Sequence, residues 1–262
     1  MTKNSFYILL LISALFTSCI PVKDLWYLQD KNTTGEQNTI SAVESKPYRL
    51  QVNDVLSINI KAIDPKLVSI FNTTENTATG KSESALYFDG FTVDDHGNIR
   101  MPILGELNVI GYTLEEVRIK IEKKLLEEYF KSEANVFVTV KLAGFRYTIN
   151  GEVGSTGTKT LFQSHVNIME AVANAGDITT VGNRKAVMIV RQTPTGVQMN
   201  EIDLTDANVM KSPYYYLQPN DYIYVKPLRQ KTWGTGQTGI QSIGTIITLL
   251  SLATTVYLII KN

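Results

Sequence analysis

Two uncharged apolar runs stand toward the two ends of the chain, residues 6–16 ahead of the single cysteine, Cys19, and residues 240–260. Each has a physical reading that limits what the middle can be, and a cytoplasmic enzyme needs neither. Lys3 precedes the first run, and Thr17 and Ser18 follow it. Charge, apolar stretch and small residues in that order make a secretory signal, and the run is too short to span a bilayer as a helix. Residues 1–18 are therefore expected to be a processing segment and not fold. The second run is 21 residues without a charge, roughly 31 Å as a helix, which matches a bilayer core. Lys231, Trp233 and Lys261 flank it and are interfacial types, so residues 240–260 are expected to span a membrane.

The polar residues of this run are not scattered. At 100° per residue Gln241, Gly244, Thr245, Thr248, Ser251 and Thr255 fall within an arc of roughly 120°, opposite Ile243, Ile246, Ile247, Leu250 and Tyr257. Ser242 and Thr254 lie outside it. A lone helix packing its small residues on a neighbour accounts for the stripe, and so does a ring of helices with lipid outside and a wet, weakly polar lumen inside. The residues alone leave both open.

Leu15-Phe16-Thr17-Ser18-Cys19 resembles a bacterial lipobox, in which cleavage exposes the cysteine and its thiol carries lipid. Phe16 stands where a smaller aliphatic is usual. A buried, inert thiol is the other reading of Cys19, since a lone cysteine cannot staple an exported chain to itself. With acyl chains contributing roughly 0.8 kcal/mol per buried methylene, a lipidated Cys19 would be held firmly on a membrane.

Charge excludes one class of partner. The 25 basic and 25 acidic residues cancel, and loss of Lys3 with the signal leaves a net charge of about −1, so no basic face for nucleic acid is expected. Residues 19–46 read as a linker: 30–39 are polar and lack apolar periodicity, and such a stretch buries too little surface to offset its ordering entropy. Residues 229–239 read as a second, Gly-rich linker before the apolar run.

The middle reads as two α+β modules, 47–142 and 143–228. Val55, Leu56, Ile58 and Ile60 mark a strand entered through Leu50-Gln51-Val52-Asn53-Asp54, and Leu217-Gln218-Pro219-Asn220-Asp221 enters another. The repeat predicts one turn used twice, with Asn at positive φ and the acids Asp54 and Asp221 accepting backbone hydrogen bonds. Residues 91–102, with Gly97-Asn98 between two apolar stretches, predict a hairpin. Thr113 and Glu116 make a capping box for a helix to about Tyr129, with Leu114, Val117, Ile121 and Leu125 on one face. With the strand 135–140, this makes a small mixed sheet covered by one helix. In the second module Asn167 is placed to cap a short helix through Ala175, and Gly176 to end it. Residues 186–191 and 197–204 form a hairpin through Pro194-Thr195-Gly196. Hairpin, helix and further strands are the pattern of ubiquitin-like β-grasp domains.

Catalytic motifs fail on context. Gly234-Thr235-Gly236-Gln237-Thr238-Gly239 fits the dinucleotide pattern in letters but lies outside any βαβ unit. Residues 154–160 lack the spacing of a phosphate loop and run from strand to strand. His96 and His165 are isolated in sequence, and Asp94 and Asp95 beside His96 read as a solvated turn and not a metal site. No cofactor is expected and the chain does not read as an enzyme.

Asn53-Asp54 before the first strand, Asp95-His96-Gly97-Asn98-Ile99 with Pro102 and Leu104-Gly105, and Gly111-Tyr112-Thr113 opening the helix resemble the polysaccharide export domain of Wza-like outer-membrane lipoproteins. Gly151-Glu152-Val153 through Ala175-Gly176-Asp177 and on to Val225 is similar to their soluble-ligand-binding (SLBB) β-grasp domain. Asn53 stands where that family usually has Gly, and 154–157 lack its usual Pro; both substitutes suit turns. The resemblance implies a lipid-anchored outer-membrane subunit with a periplasmic body, forming a homo-oligomeric ring that passes capsular polysaccharide or exopolysaccharide. It favours the Gln241 to Thr255 stripe as pore lining, and implies an inner-membrane co-polymerase or tyrosine kinase as partner. The alternative is a monomeric anchored lipoprotein binding a glycan or a partner protein through its β-grasp domain.

Overall fold

A computed structural model of the chain describes residues 20–31, 43–72, 88–130, 135–193, 195–232 and 239–261. It divides into two compact units. The first comprises Glu44–Arg146 with Thr160–Val166, the second Met1–Val43, Tyr147–Lys159 and Asn167–Asn262. The architecture is α+β.

In the first unit, β1 (Val55–Lys61) is the centre of a three-stranded sheet, flanked by β2 (Phe91–Thr92) and β5 (Phe137–Leu142). Both pairings are antiparallel, where the sequence suggested a mixed sheet. Leu56, Ile58 and Ile60 alternate into the core, as a strand with one covered face requires. The expected hairpin is displaced. β3 (Asn98–Met101) pairs with β4 (Gly105–Asn108), not with β2. The turn before β3 is closed locally, with the Asp94 carboxylate accepting from the amides of His96 and Asn98. The reversal that makes the hairpin comes later, at Ile103, which has φ 67°, a conformation that Ile rarely adopts and that the sequence therefore does not advertise.

Helix α1 (Leu114–Glu128) begins at the expected capping box: Thr113 Oγ1 accepts from Glu116 N, and the Glu116 carboxylate accepts from Thr113 N at 2.7 Å. Val117, Ile121 and Leu125 are fully buried and join Leu56, Ile60, Phe71, Phe91 and Ile99 in one core. Each such side chain stabilises the fold by about 1.5–3 kcal/mol relative to exposure. The helix ends at Tyr129, the C-cap residue.

The second unit is built on a five-stranded sheet in the order β7–β6–β10–β8–β9, formed by β6 (Phe145–Gly151), β7 (Gly157–Leu161), β8 (Gly182–Thr193), β9 (Gly196–Ile202) and β10 (Tyr222–Pro227). β8 and β9 form the expected antiparallel hairpin, while β10 runs parallel to β6. Helix α2 (Ile168–Asn174) starts at Asn167, whose side chain accepts from Glu170 N, and Gly176 follows its end at φ 78°, as a left-handed stop requires. Gly151 is obligatory for a different reason: a Cβ there would lie 2.1 Å from the Val225 carbonyl oxygen. One of the points at which the chain passes between the units lies inside β6, between Arg146 and Tyr147. A continuous strand offers no turn residue to mark it.

Part of the expected linker is folded. Val22–Leu25 form a 3₁₀ turn, Leu28 N and Gln29 N donate to the carbonyl oxygens of Leu204 and Thr205, and Ala207 N donates to Gln29 O. Lys31 Nζ lies 2.8 Å from the Asp203 carboxylate. This docking is carried by backbone groups, so apolar periodicity does not reveal it. Helix α3 (Gly239–Lys261) takes up the C-terminal apolar run.

Candidate functional site: the C-terminal helix and a basic cleft

Of the stripe residues, Gly244, Thr248, Ser251 and Thr255 are exposed along α3, while the side chains of Gln241 and Thr245 lie outside the described residues, as does Cys19. Three hydroxyls are turned onto the helix's own backbone. Thr248 Oγ1 donates to Gly244 O at 2.8 Å, Ser251 Oγ to Thr248 O at 2.8 Å, and Thr255 Oγ1 to Ser251 O at 2.7 Å. Thr254, off the stripe, donates to Leu250 O. Such back-bonding satisfies each hydroxyl proton where water is scarce and leaves its oxygen to accept. The helix is 23 residues long. Among the described residues, no helix is long and apolar enough to cross a membrane, so the expected span is not carried by the structure itself.

Within the second unit a cleft of about 460 Å³ opens beside the N-terminal segment and the ends of β8 and β10. Arg184, Lys185, Lys226 and Arg229 line it together with Asp24. Lys185 Nζ lies 2.6 Å from Asp24, and Lys226 pairs with Glu201. The Arg184 guanidinium stacks on the Tyr27 ring at 5.1 Å and donates to the carbonyl oxygens of Ile178 and Thr179. The Tyr27 hydroxyl is pushed up to about 12, first by burial and then by its hydrogen bond to Asp177. No local signal marks this cleft in the sequence, because its cations are spread over some forty-five residues and meet only where two strands end side by side.

The repeated turn is structural in both places. Asn53 has φ 69° and Asn220 φ 68°; Asp54 Oδ2 accepts from Gln51 N, and Asp221 Oδ2 from Gln218 N, both at 2.8 Å. Each acid is buried and has a further partner invisible in the repeat. Tyr48 Oη donates to Asp54 at 2.8 Å, and Arg191 grips Asp221 with Nε at 2.9 Å and Nη2 at 2.7 Å. These carboxylates hold turns and strands together. His96 sits in the Asp94 turn and His165 Nδ1 contacts Ser45 Oγ at 3.1 Å. Among the described residues no three His, Cys, Asp or Glu side chains gather to hold a metal. Residues 152–156 join β6 to β7, a strand-to-strand loop unlike a phosphate loop. Residues 234–238 of the glycine pattern lie outside the described residues.

Residues 42–141 match the family described as "Polysaccharide biosynthesis/export protein". Over 158 residues the chain is 28% identical to the EPS I polysaccharide export outer membrane protein EpsA of Ralstonia nicotianae. It is 27% identical over the same length to the protein of that name in Ralstonia solanacearum. The matched part is 56% of this chain but 39% and 40% of those proteins, so the match spans about two fifths of the relatives' length. The match covers residues 42–141, under half of the chain, and that domain is similar to polysaccharide biosynthesis/export proteins.

Proposed function

We infer that the protein is a channel subunit for export of capsular polysaccharide or exopolysaccharide across the outer membrane. The observation that carries this reading is the family match over residues 42–141, and the Ralstonia relatives named as outer membrane export proteins support it. Residues 1–18 direct export, Cys19 carries lipid, and the two units form a periplasmic ring of identical subunits. Strands β6 and β7, helix α2, the β8–β9 hairpin and β10 parallel to β6 are compatible with an SLBB β-grasp domain. Helix α3 crosses the outer membrane beside its copies, its Gln241 to Thr255 stripe facing a hydrated lumen. Hydroxyls bonded back to the helix offer a passing glycan acceptors without ionic traps. Polymer arrives from an inner-membrane co-polymerase or tyrosine kinase, and the protein is a conduit without catalytic residues.

The test replaces two lumen residues with leucine. In cells lacking this protein, the wild-type chain is expected to restore surface polysaccharide, and Thr248→Leu with Ser251→Leu at equal abundance to restore several-fold less. Undiminished polymer from the double variant contradicts the lumen role.

A further inference from the structure

The stretch that leads from Cys19 into the second unit is held too firmly to be a slack tether. Gln29 Nε2 donates to Lys23 O at 2.6 Å and to Trp26 O at 2.9 Å, stapling the 3₁₀ turn Val22–Leu25. Asp24 pairs with Lys185, the Tyr27 hydroxyl donates to Asp177, and the amides of Leu28 and Gln29 donate to Leu204 and Thr205. Trp26 leaves the turn in an extended conformation, so its side chain points away from that of Tyr27, which lies under Arg184. The backbone is thus fixed while two large apolar side chains stay in water: Val22 is 60% exposed and Trp26 55%. Lys23 is exposed between them.

Singly exposed apolar residues are ordinary on a protein surface, but the place of these two in the chain sets them apart. Val22 follows Cys19 by three residues, so at no more than about 3.5 Å per residue their α-carbons lie within roughly 11 Å of each other. The turn adds about 2 Å per residue, or roughly 8 Å, from Val22 to Trp26. Lipid on Cys19 holds that residue at the edge of the hydrocarbon core, and headgroups occupy about 5–7 Å beyond it. Val22 is then confined to the headgroup layer or its immediate edge, with Trp26 one turn away. The other membrane-directed segment departs nearby: Asp24 and Arg229 line one cleft, and α3 begins ten residues after Arg229.

We propose that Val22 and Trp26 form an interfacial anchor, entering the headgroup layer of the phospholipid bilayer that holds Cys19. The assignment rests on the reading that Cys19 carries lipid. An indole, with an apolar ring and one N–H donor, is the side chain that settles at that depth, and the Lys23 ammonium keeps to its wet side. Acyl chains on a slack tether would leave the second unit free to swing. The stapled turn instead passes the attachment to the sheet through Tyr27, Leu28 and Gln29, and so fixes the second unit's orientation on the membrane.

Trp26 and Trp233 are the two tryptophans of the chain, so in the full mature protein carrying Trp233→Phe the indole emission reports Trp26. That protein is reconstituted in vesicles of phosphatidylethanolamine and phosphatidylglycerol whose acyl chains carry bromine near the ester end, near the methyl end, or nowhere. Ester-end bromine is expected to quench the emission roughly twofold or more, and methyl-end bromine clearly less, as a ring at headgroup depth requires. Equal emission in all three vesicles, or stronger quenching from the methyl end, overturns the assignment. So does emission shielded from aqueous iodide yet indifferent to bromine, which places Trp26 against a second copy of the chain. The mass of the N-terminal peptide tests the lipid on Cys19 separately. Lipidated Cys19 without quenching defeats the anchor alone, whereas unmodified Cys19 with full ester-end quenching defeats the lipidation reading and upholds the anchor.

Discussion

The Arg191 guanidinium and the Asp221 carboxylate form a two-pronged pair almost wholly out of water. Burial pushes the Asp221 carboxyl above its ordinary 3.8, against the pull of Arg191 and of the Gln218 amide. The folded state therefore holds that proton more tightly than the unfolded chain does. This group's contribution is fully present below 3.8 and is lost as pH rises through the folded value. Arg191→Gln strips the compensating charge and raises the carboxyl further, so it is expected to cost about 3–5 kcal/mol at pH 7. The loss narrows as pH falls toward 4; urea denaturation across that range measures it, and a loss independent of pH would show that Asp221 is not the group left exposed. Asn220, at φ 68°, makes a second residue-scale prediction. Asn220→Gly is expected to be more stable than Asn220→Ala by roughly 1–2 kcal/mol in the same assay, since both lose the side chain and only Ala is strained at this φ. The turn was legible because Leu-Gln-x-Asn-Asp occurs twice; the Arg191 partner was not, since it lies thirty residues away in sequence and only strand pairing brings it near.

Elements whose signals are local were read from the sequence nearly to the residue. The capping box at Thr113 and the cap at Asn167 place the starts of α1 and α2, and Thr113→Ala is expected to cost about 1 kcal/mol in thermal or urea unfolding. Elements that depend on a distant partner were missed. The displaced β3–β4 hairpin turns at an isoleucine, and the docked stretch 22–31 borrows its hydrogen bonds from residues 204–207. That docking has a pH signature. Against burial, which raises it, the Lys31 ammonium and the Thr205 hydrogen bonds hold the Asp203 carboxyl below its usual value. Its contribution is present above 3.8 and is lost as pH falls through the lower, folded value. Hydrogen-exchange protection of the Leu28 and Gln29 amides is therefore expected at neutral pH and should weaken below pH 4. Lys31→Ala should reduce it already at pH 7, and equal protection in that variant contradicts the role of the pair.

At the scale of the whole molecule, the likeness to polysaccharide export proteins is carried by residues 42–141, while the proposed ring and exit depend on what α3 does beside its copies. Residue types near the ends raise the expectation of a membrane, yet a helix with one polar stripe satisfies a packed pair and a lumen equally well. The stripe's hydroxyls, bonded to their own backbone, suit either arrangement. Assembly separates them. The most direct measurement is the native mass of the full-length mature protein in mild detergent, each unprocessed chain being 29.2 kDa. The account predicts a single closed oligomer at a fixed multiple of the subunit mass, with a central opening in projection images. A stable monomer that nonetheless supports polysaccharide export would contradict it.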